Sequence, residues 1–309
     1  MTSAVAATAG IGRRENLLTR LWQGNTGPVL IVVAAILIFW SAMAVHMNAP
    51  WQQRLNDRAG EEVSFTQFVD QTWSQKKPLL PAPHQIVGEI WNATVLTDIN
   101  SRRSLAYHSW ITLSATLLGF AFGTALGVGL AVIIIHNRAS DQSLMPWIIA
   151  SQTVPILAIA PMVVVGLGAV GITGLFPKAL ISMYLSFFPV VVGMVKGLRS
   201  PEAIQIDLMR TYSASPWQVF KMLRWPASLP FLFASMRVGV AISLIGAVVG
   251  ELSNAAGGGL GVRLLTGSYN GQTIQIWAAL LLAAALAAIL VSLVGVAERF
   301  VTRRMGGAA

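Results

Sequence analysis

No cysteine occurs among the 309 residues, which excludes disulfide scaffolds, thiolate metal sites and cysteine nucleophiles. Charge is scarce too: 11% of residues are Asp, Glu, Lys or Arg, against roughly 25% in an ordinary soluble domain. A water-soluble globule is therefore not the expectation. The four histidines, His46, His84, His108 and His136, are too scattered for a local metal motif, and nothing resembles His-Glu-x-x-His, so no metal is expected. Extended segments of alternating polarity, which would build a sheet, are also missing.

What the chain has in quantity is hydrophobic residues, 55% of the total, with a mean hydropathy of +0.65. The charges fall in bands. Arg20 to Arg54, Arg103 to Arg138, Asp141 to Lys178 and Arg263 to Glu298 each bracket a long stretch free of Asp, Glu, Lys and Arg. A bilayer core takes about 20 apolar residues per helix, so each gap has room for a span. Six spans are predicted: Pro28 to Met47, Ser109 to Ile135, Met145 to Val170, Pro177 to Val195, Pro230 to Gly250 and Trp277 to Ala297. The fifth contains Arg237, which must face water or a partner because charge near the bilayer centre is costly. The fold class is all-α and polytopic, since helices satisfy their own backbone polar groups inside lipid.

The segments between spans set the organisation. Residues 1–27 are polar and carry Arg13, Arg14 and Arg20. The charged start and Ala42-Met43-Ala44 also fit a cleaved signal peptide, but the apolar run is longer than a signal core, so 28–47 is read as a retained helix. Residues 48–108 form an extramembrane excursion. It holds a stiff Pro78-Leu79-Leu80-Pro81-Ala82-Pro83 piece and a short amphipathic helix at 84–97 carrying Ile86, Ile90, Trp91 and Thr94. Residues 109–298 make the membrane core and 299–309 a tail.

With the N-terminus inside, the inner segments hold Arg13, Arg14, Arg20, Arg138, Lys196, Arg199, Arg210, Lys221, Arg224, Arg299, Arg303 and Arg304. The short outer loops hold only Lys178 and Arg263. The positive-inside rule then puts both termini in the cytoplasm of a multi-pass inner membrane protein. The net charge of +9 follows from that orientation and calls for no nucleic acid.

Ala115, Gly119, Gly123, Gly127 and Ala131 recur every four residues, a small-residue stripe on which another helix can pack closely. It serves equally a moving interface or static packing. Gly166-Leu167-Gly168-Ala169-Val170-Gly171 matches Gly-x-Gly-x-x-Gly but follows an apolar helix where a strand is required, so it reads as a helix end and turn. Gly257-Gly258-Gly259-Leu260-Gly261 lacks the Gly-Lys-Ser/Thr of a phosphate loop. The chain is accordingly not expected to hold a nucleotide or act as an enzyme.

The densest signal lies at 198–230. Ser200-Pro201-Glu202 starts a helix, with the acid at its positive dipole end. Ser213-Ala214-Ser215-Pro216 interrupts it, and a second short helix carries Trp217, Phe220 and Leu223. Pro226 and Pro230 are expected to stop the backbone before the next span. A short aromatic helix between two spans suits a groove on another protein.

Asp207-Leu208-Met209, Ser213, Leu223 and Trp225-Pro226 fall on the spacing of the EAA loop, and this segment resembles that of ABC importer permeases. Ser213-Ala214-Ser215-Pro216-Trp217-Gln218-Val219-Phe220, Met236-Arg237-Val238, Leu80-Pro81-Ala82-Pro83, Val249-Gly250-Glu251 and Gly259-Leu260-Gly261 are similar to the nitrate, sulfonate, taurine and pyrimidine-precursor branch. Asp stands at 207 where the pattern has Glu, Leu208 and Met209 replace two alanines, and Ser213 replaces a glycine; residues 48–77 look like an insertion. The resemblance implies a permease with two copies, two ATPase subunits carrying ATP and Mg, and a periplasmic solute-binding protein. It assigns ATPase coupling to Asp207, Arg210, Ser213, Ala214, Ser215, Pro216 and Trp217.

Polar residues inside spans are the candidates for a translocation pathway: Gln152, Thr153, Tyr184, Ser186, Ser243 and Glu251. Each serves helix-to-helix hydrogen bonding equally well. Pro155, Pro161 and Pro189 mark bends. Two other classes compete. An ion-driven secondary transporter or channel would show repeats and embedded acids, and a membrane enzyme would show a clustered catalytic set. The cargo is left open among sulfonate, nitrate, a pyrimidine, riboflavin or another small solute.

Overall fold

The computed structural model describes residues 26–254 and 257–305. The arginines expected in the N-terminal tail, Arg13, Arg14 and Arg20, lie outside the described residues. All regular elements among the described residues are helical: α1 Thr26–Ala59, α2 Phe65–Trp73, α3 Pro83–Trp91, α4 Leu105–His136, α5 Arg138–Ser151, α6 Ile156–Ala169, α7 Leu175–Leu198, α8 Ala203–Thr211, α9 Pro216–Val219, α10 Trp225–Leu252, α11 Leu260–Tyr269 and α12 Thr273–Arg304. Widened π turns follow α3 (Asn92–Leu96) and α9 (Phe220–Arg224). The chain divides into two compact units, one ending at Gln85 and one starting at Ile86.

In the first unit α1 does not stop where its apolar run does. Its 34 residues rise about 50 Å at 1.5 Å each, well beyond a hydrocarbon core of about 30 Å. Past Met47 it presents Asn48, Gln52 and Asn56 every fourth residue, all buried, and these amides hold the returning chain. Asn48 Oδ1 accepts from the backbone N–H of Leu79 (2.8 Å) and Leu80 (3.2 Å), while its Nδ2 donates to Leu80 O (2.9 Å). Gln71 Oε1 accepts from Asn56 (2.9 Å) and Gln52 (3.2 Å). Trp40 and Trp73 donate their indole N–H groups to Pro81 O and Ser41 O. The insertion-like segment is thus stitched by polar side chains, while Trp51, Leu55 and Phe65 stay exposed.

The second unit is built on α7, which lies between α4 and α10. In lipid there is no hydrophobic gain from helix contact, so close van der Waals fit must hold such a core. The small-residue stripe of α4 supplies it. A Cβ on Gly119 would stand 2.4 Å from Ser182 Cβ and 2.6 Å from Ala179 O. A Cβ on Gly127 would stand 2.8 Å from Val190 Cβ. Ala115 and Ala131 are fully buried on the same face. A hydrogen-bonded seam runs through the contact: Ser182 Oγ donates to Ser243 O (2.7 Å) and Ser243 Oγ to Thr116 O (2.9 Å). Next to it Ile134, Ile148, Val190, Met194, Leu198 and Phe220 form an apolar cluster.

Two expectations are corrected. The span placed at Met145 to Val170 is two helices, α5 and α6, meeting at 95°. At 14 residues each they rise about 21 Å, too short to cross singly. The cause is Pro155, whose own backbone is extended (ψ 116) and which has no N–H to continue the ladder. Five helices are therefore long and apolar enough to cross a membrane, or six if the bent pair counts as one. The second correction is at Pro226 and Pro230, expected to break the backbone. Helical structure runs unbroken over residues 216–252. Pro226 sits in the first turn of α10, where a missing N–H costs little. The π turn before it, closed by Trp225 N–H to Phe220 O, takes up the misfit.

Candidate functional site

The 198–230 segment is shaped by its caps. Pro201 lies just before α8, and Glu202 is the N-cap, its N–H donating to Gln205 Oε1 at 3.1 Å. At the other end Ser213 has φ 53, which makes it the one residue besides glycine with positive φ among the described residues. Its N–H donates to Arg210 O (2.8 Å) and that of Ala214 to Met209 O (3.0 Å). These paired bonds are a Schellman stop, and the left-handed position they require is one where glycine fits best. Ser213 thus stands on the family's glycine for a visible reason.

Ser215 then caps α9. Its Oγ accepts from Gln218 N–H (3.3 Å) and Gln218 Oε1 accepts from Ser215 N–H (2.7 Å), with Pro216 in the first turn. Trp217 is 64% exposed and stacks on Phe220 at 5.5 Å between ring centroids. Phe220 in turn meets Trp225 and His136. Asp207 and Arg210 pair across one helical turn at 3.1 Å, both solvent-exposed, a pair that contributes little stability. Between α8, α9 and the end of α4 lies a cavity of about 420 Å³, lined by His136, Ile206, Arg210, Ala214, Pro216, Val219, Phe220 and Arg224 among others. Five of the seven coupling candidates, all but Asp207 and Trp217, line this cavity or build the turn and cap around it, and Trp217 stacks on Phe220 of its wall.

Sequence reasoning missed His136 and Ile206 in that wall. It also missed the apolar row Ile204, Leu208 and Tyr212, each more than half exposed. Their spacing of four was a usable signal for the row; nothing local connects His136 to Phe220, 84 residues away.

The six pathway candidates do not share one pocket. Gln152 and Thr153 sit at the α5–α6 break, where the Tyr184 hydroxyl donates to Ser151 O. Ser186 and Ser243 are fully buried between α4, α7 and α10. Glu251 lies at the opposite end of α10 from the capped helices, with no exposed surface. Its carboxylate accepts from Thr112 Oγ1 (2.8 and 3.1 Å) and from Gly261 N–H (2.8 Å). Around it, Leu260 N–H donates to Thr112 Oγ1 (2.8 Å), Gly259 N–H to His108 Nδ1 (2.9 Å), and Lys178 Nζ to Gly257 O (3.0 Å) and Gly258 O (2.7 Å). A Cβ at Gly259, where φ is +120°, would stand 2.0 Å from the Glu251 carboxyl carbon. The glycine loop therefore wraps a buried acid and, together with Thr112, satisfies its oxygens away from water.

Residues 123–307 match the family described as binding-protein-dependent transport system inner membrane component. The chain belongs to that family. It is the membrane permease subunit of an ABC importer, working with ATPase subunits, a second permease copy and a periplasmic binding protein. The permease is 32% identical over 226 residues to the riboflavin transport system permease protein of Chloroflexus aurantiacus, covering 73% of this chain and 80% of that one. It is 32% identical to the formylaminopyrimidine transport permease protein of Halalkalibacterium halodurans (56% and 65% covered). To the nitrate import permease protein of Synechocystis it is 21% identical (87% of each). The solved inward-facing MetNI methionine ABC transporter has a similar fold, with a TM-score of 0.54 at 20% identity over 65% of this chain and 95% of that chain.

Proposed function

We propose that the α8–α9 pair is the surface on which the ATPase subunit docks, with Asp207, Arg210, Ser213, Ala214, Ser215, Pro216 and Trp217 as its contact region, and that it lies in the cytoplasm with both termini. The observation that carries this reading is mechanical. The exposed Trp217 sits on a helix that continues without a break through α10 to Leu252, a rod about 55 Å long. Displacement of α9 by a docked subunit is delivered along α10 to the other end of the bundle. The Lys and Arg bias of this segment supports the orientation.

ATP and Mg act on the partner subunit, and the two glycine segments of this chain are a turn and a wrap around Glu251, not phosphate cradles. The second permease is another copy of this chain. Among the pathway candidates, Gln152, Thr153 and Tyr184 gather at a helix break, where main chain is freed to face a passage; Ser186, Ser243 and Glu251 hold helices together in this conformation. The cargo is a small heteroaromatic solute, a reading supported by the higher identity to the flavin and pyrimidine permeases than to the nitrate one.

The test is the double variant Ser215→Arg with Trp217→Glu. It should insert normally in the membrane, lose ATPase co-purification and abolish uptake. Normal co-purification would overturn the docking assignment. Ligand binding to the cognate binding protein, flavins and pyrimidines against nitrate, tests the cargo.

A further inference from the structure

At the end of the second unit that carries the Glu251 clasp lies a cavity of about 390 Å³, separate from every residue assigned above. Its wall includes Glu89, Asn92, Arg103, Arg263, Gln272 and Gln275. Two guanidinium groups thus converge on one space with a single carboxylate. Ion pairs among the described residues join Arg199 to Asp141, Arg210 to Asp207 and Arg237 to Glu298, so neither Arg103 nor Arg263 is neutralised by Glu89 at contact distance. The lining carries a net charge of +1 by these residue types.

Arg263 is the informative member. Its Nε is buried and has no hydrogen-bond partner, and leaving such a donor unsatisfied is costly. Burial pushes the Arg263 pKa below its ordinary value, with Glu89 opposing and Arg103 adding to the drop. The residue is also held in place. Its carbonyl accepts from Thr266 Oγ1 within α11 and from Gln275 Nε2, both at 3.3 Å, and the second bond ties α11 to the first turn of α12. A planar guanidinium fork on a fixed stretch of main chain, with its Nε lacking an acceptor, suits an oxoanion.

The surroundings narrow the class further. Arg103 stands just before α4 and Gln272 just before α12, so the cavity lies at the mouths of two spans. On the same helical segment as Glu89 and Asn92, the residues Val87, Trp91, Val95 and Leu96 are exposed at 56–70%. A cationic hollow at the mouths of two spans, walled in part by a helical segment with exposed apolar side chains, matches a phosphate with acyl chains attached. We propose that this cavity binds a phosphate-type oxoanion, borne by the headgroup of an anionic phospholipid or free in solution, between Arg103 and Arg263.

The experiment uses the full chain purified in uncharged detergent, with thermal unfolding followed in three arms. One adds inorganic phosphate against chloride at matched ionic strength. The second adds phosphatidylglycerol, and the third phosphatidylcholine. Arg103→Gln, Arg263→Gln and Arg263→Lys are compared with the parent. The expected result is a saturable rise in melting temperature with phosphate or with phosphatidylglycerol, but not with phosphatidylcholine or chloride. Apparent affinity should fall at least tenfold in both glutamine variants and be partly restored in Arg263→Lys. Response to free phosphate without phosphatidylglycerol identifies a soluble ligand, and response to phosphatidylglycerol identifies lipid. Because Arg103 is exposed and makes no ion pair among the described residues, Arg103→Gln keeps the test valid if Arg263→Gln fails to fold. No response in either arm, or an equal response in parent and Arg103→Gln, overturns the proposal. ATPase co-purification is not read here, so failure leaves the docking surface untouched.

Discussion

Ser213 is the residue at which backbone strain and family pattern meet. A left-handed conformation costs a residue with a Cβ roughly 1–2 kcal/mol, and the Schellman bonds from Ser213 and Ala214 hold it there. Ser213→Gly should therefore stabilise the chain by about 1 kcal/mol, read as a higher melting temperature in detergent, and Ser213→Val should lower it. A fall in the glycine variant would contradict the assignment. Position 213 was readable in advance as the place of a glycine, but not the reason, which is the paired Schellman bonding of the α8 terminus. Glu251 shows the opposite case. Its type and place in a span marked it as costly, yet Thr112, Lys178 and His108, which lie with it around the glycine loop, are far away in the chain. No local spacing encodes such a cluster.

Among the helices, α4 offers the sharpest contrast, because glycines on two of its faces meet different surroundings. Gly119 stands against the backbone of α7, whereas a Cβ on Gly129 would meet nothing within 4 Å. Gly119→Ala should destabilise by about 1–3 kcal/mol through overpacking. Gly129→Ala should be neutral or stabilising by up to about 1 kcal/mol, since alanine is the better helix former. Thermal unfolding of both variants decides it, and equal effects would mean that the stripe does not pack as described. The spacing of four made this stripe legible; which helix it met was not. Likewise Pro155 and Pro226 carry the same chemical restriction, yet one bends the chain by 95° and the other is absorbed by a π turn. The difference lies in what precedes each proline and in the packing around it.

For the assembled transporter, the continuous helix over residues 216–252 predicts that transport follows the ATPase. In proteoliposomes holding the permease with its ATPase and binding protein, uptake should require internal ATP and survive an uncoupler. Uptake by the permease alone would refute this. Hydropathy and charge banding were enough to establish a helical, multi-pass membrane chain, because the bilayer imposes length and backbone satisfaction on any span. The EAA-like spacing was enough to indicate the family, since capping and turn formation are local interactions. Contacts between distant segments were beyond that reach: the amide ladder of α1, the Glu251 clasp, the His136–Phe220 contact and the Arg103–Arg263 hollow. Each depends on how helices far apart in the chain come to lie side by side, and only close packing in three dimensions sets that.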